Sequence, residues 1–272
     1  MFKKSKYFIV TGATGFVGSY ITKELIKKNY NVIILVKNIK KAKKILNKKK
    51  VKIILFNIKN LTENFDIPKN SILIHTAWIN VRKINSNDHL KINYPKSYLF
   101  IKNCINKGLK DVLVIGSCYE YGLKYGPITA STKTKPNSKY AIAKDKLHKS
   151  LRLLQNKKKF NLIWCRLFYL FGDGQDKHSI ISKLNIALFE KKKVFNMSLG
   201  EQLLDYLHVK IAVKKIINLL KKREGIFNVC SGKPISLRRL IEETLLRKKK
   251  KIKLNLGYYK YRKNDSLAIW GN

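Results

Sequence analysis

Short runs of aliphatic and β-branched residues alternate along the chain with longer stretches in which apolar residues recur every three or four positions. The short runs predict strands at Tyr7–Thr11, Asn31–Val36, Lys52–Asn57, Ser71–Thr76, Asp111–Ser117 and Leu162–Phe168. The longer stretches predict helices at Gly15–Lys28, Ile39–Lys48, Asn87–Lys107 and Tyr140–Gln155. Strands made almost wholly of Val, Ile and Leu are typical of a parallel sheet buried on both faces. The alternation therefore predicts a doubly wound α/β fold.

The pattern changes after Gly172, where the apolar runs become shorter and glycines more frequent. We therefore expect a larger domain over residues 1–168 and a smaller lobe over residues 169–272. Within the lobe, Tyr206–Lys222 and Ser236–Arg247 have helical spacing. Residues 206–223 are expected to pack back on the larger domain.

The chain is strongly basic, with 59 Lys and Arg against 16 Asp and Glu and a formal net charge of +43 over 272 residues. Such a charge is typical of proteins that bind nucleic acid or anionic membranes. Here, however, the lysines form short runs along the whole chain rather than one basic arm, which favours solvated lysines on helix faces and loops. We expect no nucleic-acid partner. The positive field would still speed the capture of a phosphate-rich ligand in a salt-dependent way.

The four cysteines, Cys104, Cys118, Cys165 and Cys230, lie far apart and in or beside apolar runs. This pattern predicts buried, reduced thiols and neither a disulfide framework nor a zinc site. The apolar run Tyr7–Val10 is too short for a secretory signal. No run approaches the roughly 18 apolar residues of a membrane-spanning helix. We therefore expect no membrane insertion and a cytoplasmic protein. The cysteine pattern gives no reason to expect a metal.

Three glycines join the first predicted strand to the first predicted helix, in the segment FIVTGATGFVGSYI. Gly12 permits a tight turn, Gly15 lets the backbone approach a pyrophosphate, and Gly18 permits close packing of the helix on the strand. The helix N-terminus adds N–H groups and a positive dipole. The segment therefore predicts a dinucleotide-binding turn.

The end of the second strand bears on which dinucleotide binds. NAD sites usually place an acidic side chain there against the 2′-hydroxyl of the adenine ribose, but this chain has Val36 and Lys37. Lys37 can instead pair with a 2′-phosphate. The sequence therefore favours NADP(H) over NAD(H).

Three polar residues indicate redox chemistry. Ser117 ends a predicted buried strand, and Tyr140 and Lys144 lie one helical turn apart on one face. A lysine ammonium beside a phenol lowers the pKa of the phenol and can also hold the cofactor ribose. Ser117 can orient the substrate oxygen while Tyr140 donates a proton to it. We therefore expect hydride transfer at a carbon that bears oxygen.

Taken together, TGATGFVG, GSCYEYG and YAIAK resemble the extended short-chain dehydrogenase/reductase family of NAD(P)-dependent sugar-nucleotide epimerases, dehydratases and reductases. HTAW, RLFYLFGDGQ, GEQLLDYLHV and GIFNVCSGKPISL agree, so the resemblance spans the chain. It implies a Rossmann fold with a smaller C-terminal substrate-binding lobe, a nucleotide-diphosphate sugar as substrate, and the serine–tyrosine–lysine roles given above. It also implies a homodimer formed through the helices predicted at residues 87–107 and 140–155.

This resemblance assigns further positions to the two ligands. Cofactor contacts are expected from Gly12, Thr14, Gly15, Phe16, Val17, Gly18, Lys37, Asn57, Ile58, Ala77, Tyr140 and Lys144. Substrate contacts are expected from Trp78, Ser117, Cys118, Tyr119, Gln175, His178, Asn196, Gln202 and Arg262. Trp78 fits a pocket wall and a core position equally well, and His178 fits a substrate contact or a surface position. Arg166, inside a predicted strand, is expected to satisfy core carbonyl groups.

Departures from the family pattern narrow the activity. The 4,6-dehydratases place an Asp–Glu pair directly after the strand-end hydroxyl, where this chain has Cys118 and Tyr119. The UDP-sugar epimerases usually have Arg before Asp in an RDY motif, where this chain has Leu204 and Asp205. These differences favour a plain reductase. The resemblance then implies an NADPH-dependent 4-ketoreductase of a nucleotide-activated 6-deoxyhexose, serving surface polysaccharide synthesis. An NAD-dependent 4-epimerase and a non-enzymatic dinucleotide sensor or RNA-binding module stay open as alternatives.

Overall fold

The computed structural model describes residues 6–46, 51–61, 65–261 and 266–272. Its strands are β1 (Tyr7–Thr11), β2 (Asn31–Val36), β3 (Val51–Leu55), β4 (Ser71–His75), β5 (Asp111–Ser117), β6 (Gly126–Ile128), β7 (Asn161–Leu167), β8 (Tyr169–Phe171), β9 (Val194–Asn196), β10 (Leu203–Leu204), β11 (Tyr206–His208), β12 (Gly225–Val229), β13 (Ile235–Ser236), β14 (Lys253–Asn255) and β15 (Ala268–Gly271). Its α-helices are α1 (Phe16–Lys27), α2 (Ile39–Leu46), α3 (Tyr94–Asn106), α4 (Lys139–Gln155), α5 (Ile180–Phe189), α6 (Val209–Leu219) and α7 (Leu237–Lys248).

The chain divides into two compact units. The first comprises Met1–Gly122, Lys133–Leu167 and Val213–Phe227, and the second comprises Leu123–Thr132, Phe168–Ala212 and Asn228–Asn272.

A seven-stranded sheet, in the order β12-β7-β5-β4-β1-β2-β3, forms the centre of the first unit. β1 runs parallel to both neighbours, and Tyr7 faces Asn31 on one side and Ser71 on the other. The direction of strand addition therefore reverses at β1. In doubly wound sheets, ligands bind beyond the carboxyl ends of the strands at this reversal. The prediction of a Rossmann-type α/β fold is confirmed.

One face of this sheet packs against α3 and α4. Their contributions to the shared core are Phe100, Ile101, Cys104, Ile105, Leu147, Leu151 and Leu154. Full burial of such a side chain contributes about 1.5–3 kcal/mol. The core therefore fixes α4, the helix that carries Tyr140 and Lys144, against the sheet.

The second unit contains a four-stranded sheet in the order β13-β10-β15-β6 and the parallel pairs β8–β11 and β9–β14. Side chains of α5 and α7, among them Leu184 and Leu240, form its apolar core with Phe195 and Met197. The fully buried carboxylate of Asp205 accepts hydrogen bonds from the backbone N–H groups of Ser231, Gly232 and Gly271, at 2.5, 2.9 and 3.2 Å.

Two helix predictions require correction. Residues Tyr206–His208 form β11, which pairs in parallel with β8, so the helix predicted over Tyr206–Lys222 begins only at Val209. The backbone groups of these three residues belong to a strand pair, which the helical spacing of apolar residues in the sequence does not reveal. The helix predicted over Asn87–Lys107 begins with a π-helical turn at His89–Asn93 before α3. Pro95, in the first turn of α3, has no N–H to donate into an α-helical turn before it.

Other boundaries move by one or two residues. The third strand is Val51–Leu55 rather than Lys52–Asn57, and α2 ends at Leu46, with residues 47 and 48 of its predicted span outside the described residues. All four cysteines are buried, as predicted. In the described part of the chain, the helices are too short or too polar to cross a bilayer.

Candidate active site

The glycine turn connects β1 to α1 at the reversal point of the sheet. Gly12 has φ +66°, and a Cβ added there would lie 2.8 Å from the Ala77 nitrogen. A Cβ on Gly18 would overlap the Gly12 carbonyl oxygen. Gly15 is the N-cap of α1 and offers no side chain to cap it. The first N–H groups of α1 are thus left for a ligand.

These features fit the pyrophosphate of a dinucleotide. Thr14, Phe16 and Val17, all half-buried, flank Gly15 at this helix end. The backbone N–H groups and the positive end of the helix dipole favour an anion. The residues predicted to hold the phosphates therefore lie together at one helix N-terminus.

A buried hydrogen-bond network joins the ends of β1 and β4 beside the turn. The Thr11 hydroxyl accepts from the N–H groups of Thr76 and Ala77, both at 3.1 Å, and so donates its own proton to His75 Nδ1 at 3.0 Å. His75 Nε2 is then left to donate to Ser97 Oγ at 3.0 Å. Burial and the charge of Lys144 lower the pKa of His75 to about 3, so this imidazole is neutral. The network fixes the backbone that borders Gly12.

Ser117 and Tyr140 meet at the carboxyl end of β5. Ser138 caps α4 by accepting from Ala141 N at 3.3 Å, and the N–H of Tyr140 donates to the Ile84 carbonyl at 2.8 Å. Burial raises the pKa of Tyr140, and the neighbouring Ser117 side chain opposes this rise. The structure therefore brings two of the three predicted catalytic residues close together.

Lys144 lies beside them and is almost fully buried. Its ammonium group donates to the Ile115 carbonyl at 2.6 Å and lies 3.8 Å from the centre of the Trp78 ring. Burial lowers the pKa of Lys144, and the carboxylate of Glu120 opposes that change. The expectation that Lys144 lowers the pKa of Tyr140 is not met here, because burial of the phenol outweighs every other influence on it.

The Trp78 indole lies beside this group and is held by His89, a residue that sequence reasoning missed. Trp78 Nε1 donates to His89 Nδ1 at 3.1 Å, and Asn93 Nδ2 approaches the same nitrogen at 3.1 Å. His89 Nε2 donates to the Lys83 carbonyl at 2.9 Å, and burial lowers the pKa of His89, so the imidazole is neutral. His89 and Asn93 are the first and last residues of the π-helical turn, a geometry frequent at functional sites. The turn fixes Trp78 beside Tyr140 and Lys144.

Sequence reasoning also missed a buried ion pair next to the backbone of Ser117. Glu120 is fully buried and accepts from Ser117 N at 2.7 Å, from Trp164 Nε1 at 3.0 Å and from Arg166 Nε at 2.8 Å. Burial raises the pKa of Glu120 above its usual value, and Arg166 and these hydrogen bonds oppose the rise. All of these partners are donors, which favours the ionised carboxylate. Arg166 was expected to satisfy core carbonyl groups, and the structure shows its guanidinium bound to the Glu120 carboxylate, which compensates both buried charges.

The other residues predicted to bind the cofactor differ from one another in their exposure to solvent. Lys37 is exposed directly after β2, and Ala77 is half-buried after β4. The Asn57 side chain accepts from Lys59 N at 3.1 Å. Ile58 belongs to the apolar core. Each lies after the carboxyl end of its strand, and these strands are neighbours in the order β4-β1-β2-β3.

The predicted substrate residues belong to both units. In the first, Cys118 is buried, and the Tyr119 ring lies edge-on to the Tyr140 ring, 6.4 Å between centres. In the second, the buried amide oxygens of Gln175 and Gln202 accept no hydrogen bond from the described residues. Asn196 Oδ1 instead accepts from Asn255 Nδ2 at 2.9 Å, and His178 is exposed. Arg262 lies outside the described residues.

Known proteins resemble this chain in sequence. The chain matches the NAD dependent epimerase/dehydratase family over residues 8–230. It is 32% identical over 268 residues to dTDP-6-deoxy-L-talose 4-dehydrogenase (NAD(+)) of Aggregatibacter actinomycetemcomitans, covering 97% of this chain and 98% of that protein. It is 27% identical to a putative UDP-glucose 4-epimerase of Methanocaldococcus jannaschii, over 86% of this chain and 80% of that protein.

Solved structures have the same fold. The UDP-N-acetylglucosamine 4-epimerase from Methanobrevibacter ruminantium M1 superimposes with a TM-score of 0.84 at 24% identity, over 99% of this chain and 90% of the other. MoeE5, in complex with UDP-glucuronic acid and NAD, gives 0.81 at 20% identity, over 97% and 89%. With a family match over most of its length and a relative 32% identical from end to end, this chain belongs to the NAD dependent epimerase/dehydratase family.

Proposed function

We propose that the chain is an NADPH-dependent 4-ketoreductase that converts a dTDP-4-dehydro-6-deoxyhexose to dTDP-6-deoxy-L-talose. The observation that carries the proposal is the cluster of Ser117, Tyr140 and Lys144 at the carboxyl end of β5, next to the glycine turn in the same unit. The dTDP-sugar is suggested by the name of the 32% identical relative.

The roles of the three residues follow from their chemistry. Ser117 and Tyr140 are neighbours at the carboxyl end of β5, so a ketone oxygen placed between them would receive two O–H donors. Burial raises the pKa of Tyr140, which keeps the phenol protonated and ready to donate to the oxygen as it becomes an alkoxide. Lys144 stabilises the phenolate that remains. A bound NADPH supplies the hydride for the carbon.

The choice of NADP(H) rests on charge at the end of β2. Lys37 is exposed there, and the sequence contains no Asp or Glu between Glu24 and Glu63. No carboxylate of that segment is therefore present to hold a ribose 2′-hydroxyl. The relative from Aggregatibacter actinomycetemcomitans is named for NAD(+), so cofactor preference is a point on which the two proteins are expected to differ.

Replacing Lys37 by Asp is expected to lower the NADPH/NADH ratio of kcat/KM by about tenfold or more, since an attractive charge beside the 2′-phosphate becomes repulsive. Steady-state kinetics with both cofactors measure the ratio. Lys69→Asp is the control, because Lys69 is also exposed but precedes β4 at the opposite edge of the sheet. An unchanged ratio in Lys37→Asp would mean that Lys37 points away from the cofactor.

The reaction itself is tested by following NADPH absorbance with dTDP-4-dehydro-6-deoxyglucose, with and without a 3,5-epimerase. We expect consumption only when the epimerase is present, and NMR of the product should show 6-deoxytalose rather than rhamnose. Release of tightly bound NAD from the purified protein, with no consumption of added NADPH, would indicate a 4-epimerase instead.

We further propose a homodimer formed through α3 and α4. Leu99 of α3 and Leu153 of α4 are 43% and 65% exposed in the single chain, although both lie on helices that pack on the sheet. Sedimentation equilibrium should give about twice the chain mass of 31.6 kDa; a monomer mass at micromolar concentration would contradict the dimer.

A further inference from the structure

Glu120 is a fully buried charge that the proposed reaction does not use. Its Oε1 accepts the Ser117 N–H at 2.7 Å, and its Oε2 accepts from Arg166 Nε at 2.8 Å. Gly116 makes this approach possible, because a Cβ there would overlap the Trp164 indole nitrogen that also binds Glu120. Burying a carboxylate costs free energy unless the charge is paired and hydrogen-bonded, as it is here.

Glu120 and Lys144 form hydrogen bonds to the backbone of the same short segment of β5. Lys144 Nζ donates to the Ile115 carbonyl at 2.6 Å, and Glu120 accepts the N–H of Ser117, two residues further on. The negative charge of Glu120 raises the pKa of Lys144. The end of the strand that presents the Ser117 hydroxyl is therefore held between opposite charges.

In the described part of the chain, three other ionisable groups near Lys144 are neutral. His75 on β4 and His89 on the π-helical turn both feel the charge of Lys144, and both are neutral. Tyr140, one turn earlier on α4, has its pKa raised by burial and is neutral as well. Among these groups, Glu120 is the anion that faces Lys144.

We propose that Glu120 is a positioning residue of the active site: held by Arg166, its carboxylate fixes the Ser117 backbone two residues from the carbonyl group that Lys144 binds. This inference rests on the proposed function, because it assigns Glu120 to the Ser117–Tyr140–Lys144 cluster. Burial alone lowers the pKa of Lys144, and Glu120 raises it. Without the carboxylate, a larger fraction of Lys144 is neutral at a given pH.

The test removes both charges of the ion pair in the variant Glu120→Gln/Arg166→Met. Single removal would leave an unpaired buried charge, whereas Gln at 120 can still accept the Ser117 N–H. In a plot of kcat/KM against pH, the decline at high pH (the alkaline limb) reports the loss of the proton from Lys144 or Tyr140. We expect this limb to move to lower pH by about one unit, because the negative charge of Glu120 raises the pKa of both residues.

The matched control is Glu243→Gln/Arg239→Met, the same exchange at an exposed ion pair on α7 with a 2.8 Å contact. It should keep the wild-type pH profile. Thermal unfolding confirms that each variant is folded. A folded Glu120→Gln/Arg166→Met protein with the wild-type alkaline limb would overturn the proposal and leave the ion pair a packing feature only.

A second variant keeps the test decisive if the double variant fails to fold. Glu120→Asp retains the charge but withdraws it from the Ser117 N–H, so kcat should fall severalfold while the alkaline limb stays in place. A limb displaced to lower pH in Glu120→Asp would contradict the proposal.

If the wild-type protein does not reduce the ketone, the proposed function fails, but NADPH fluorescence still tests Glu120. NADPH binding is expected to weaken as the pH rises and Lys144 loses its proton. This loss of affinity should begin at a lower pH in the double variant than in the wild type. Identical pH dependence of binding would overturn the role of Glu120.

Discussion

Replacing Tyr140 by Phe is expected to lower kcat/KM by about 10³-fold, within the range of roughly 10²–10⁴ that a general acid contributes. The phenol is buried, and burial raises its pKa, so it remains protonated where a ketone oxygen would be reduced. Phenylalanine keeps the ring contacts with Trp78, His89 and Tyr119, whose centres lie 5.3–6.4 Å away. NADPH affinity is therefore expected to change by less than about threefold, since only one hydroxyl is removed.

Stopped-flow turnover and a fluorescence titration with NADPH measure these two quantities. Tyr94→Phe is the matched control, since it removes a hydroxyl bonded to Ser150 Oγ at 2.9 Å without touching the cluster. Turnover of Tyr140→Phe within tenfold of the wild type would remove Tyr140 from the chemistry and favour a binding protein.

Replacing Gly12 by Ala should weaken NADPH binding by about 10- to 100-fold. Alanine is strained at φ +66°, and its Cβ would press on the backbone nitrogen of Ala77 at 2.8 Å. The resulting strain of about 1–3 kcal/mol must be relieved by moving the turn or the end of β4. Either movement displaces the N–H groups of α1 that a pyrophosphate would meet.

Isothermal titration with NADPH, together with thermal unfolding, measures the effect. Gly108→Ala provides the control, because Gly108 also has positive φ, at +92°, but an added Cβ meets nothing within 4 Å. Backbone strain alone should lower the stability of both variants, whereas only Gly12→Ala should lose affinity. Equal NADPH affinity in the two variants would show that the cofactor binds elsewhere.

Sequence reasoning located the parts of the site that depend on local geometry. The glycine turn, the strand end at Ser117 and the i,i+4 pair Tyr140–Lys144 are each determined by residues close together in the chain. Strand burial followed from uninterrupted Val, Ile and Leu, which is why β1, β2 and β5 have the predicted bounds.

The parts that it missed depend on partners far away in the chain. Glu120 takes its role from Arg166, 46 positions later, and Trp78 takes its orientation from His89 on an irregular helical turn. Residues Tyr206–His208 are a strand because β8 lies beside them. Two signals were available for Glu120: an acid among apolar neighbours directly after a buried strand, and an arginine inside another buried strand.

The central claim is that Tyr140 and its neighbours transfer hydride from NADPH to C4 of a nucleotide-linked sugar, and deuterium tracing tests it most directly. The protein is incubated with NADPH deuterated at the nicotinamide C4, dTDP-4-dehydro-6-deoxyglucose and a 3,5-epimerase, and the sugar product is examined by NMR. We predict one deuterium at C4 of the sugar for each NADPH oxidised. A product without deuterium, formed while added NADPH stays unoxidised, would contradict the claim and indicate a bound cofactor that is regenerated within each turnover.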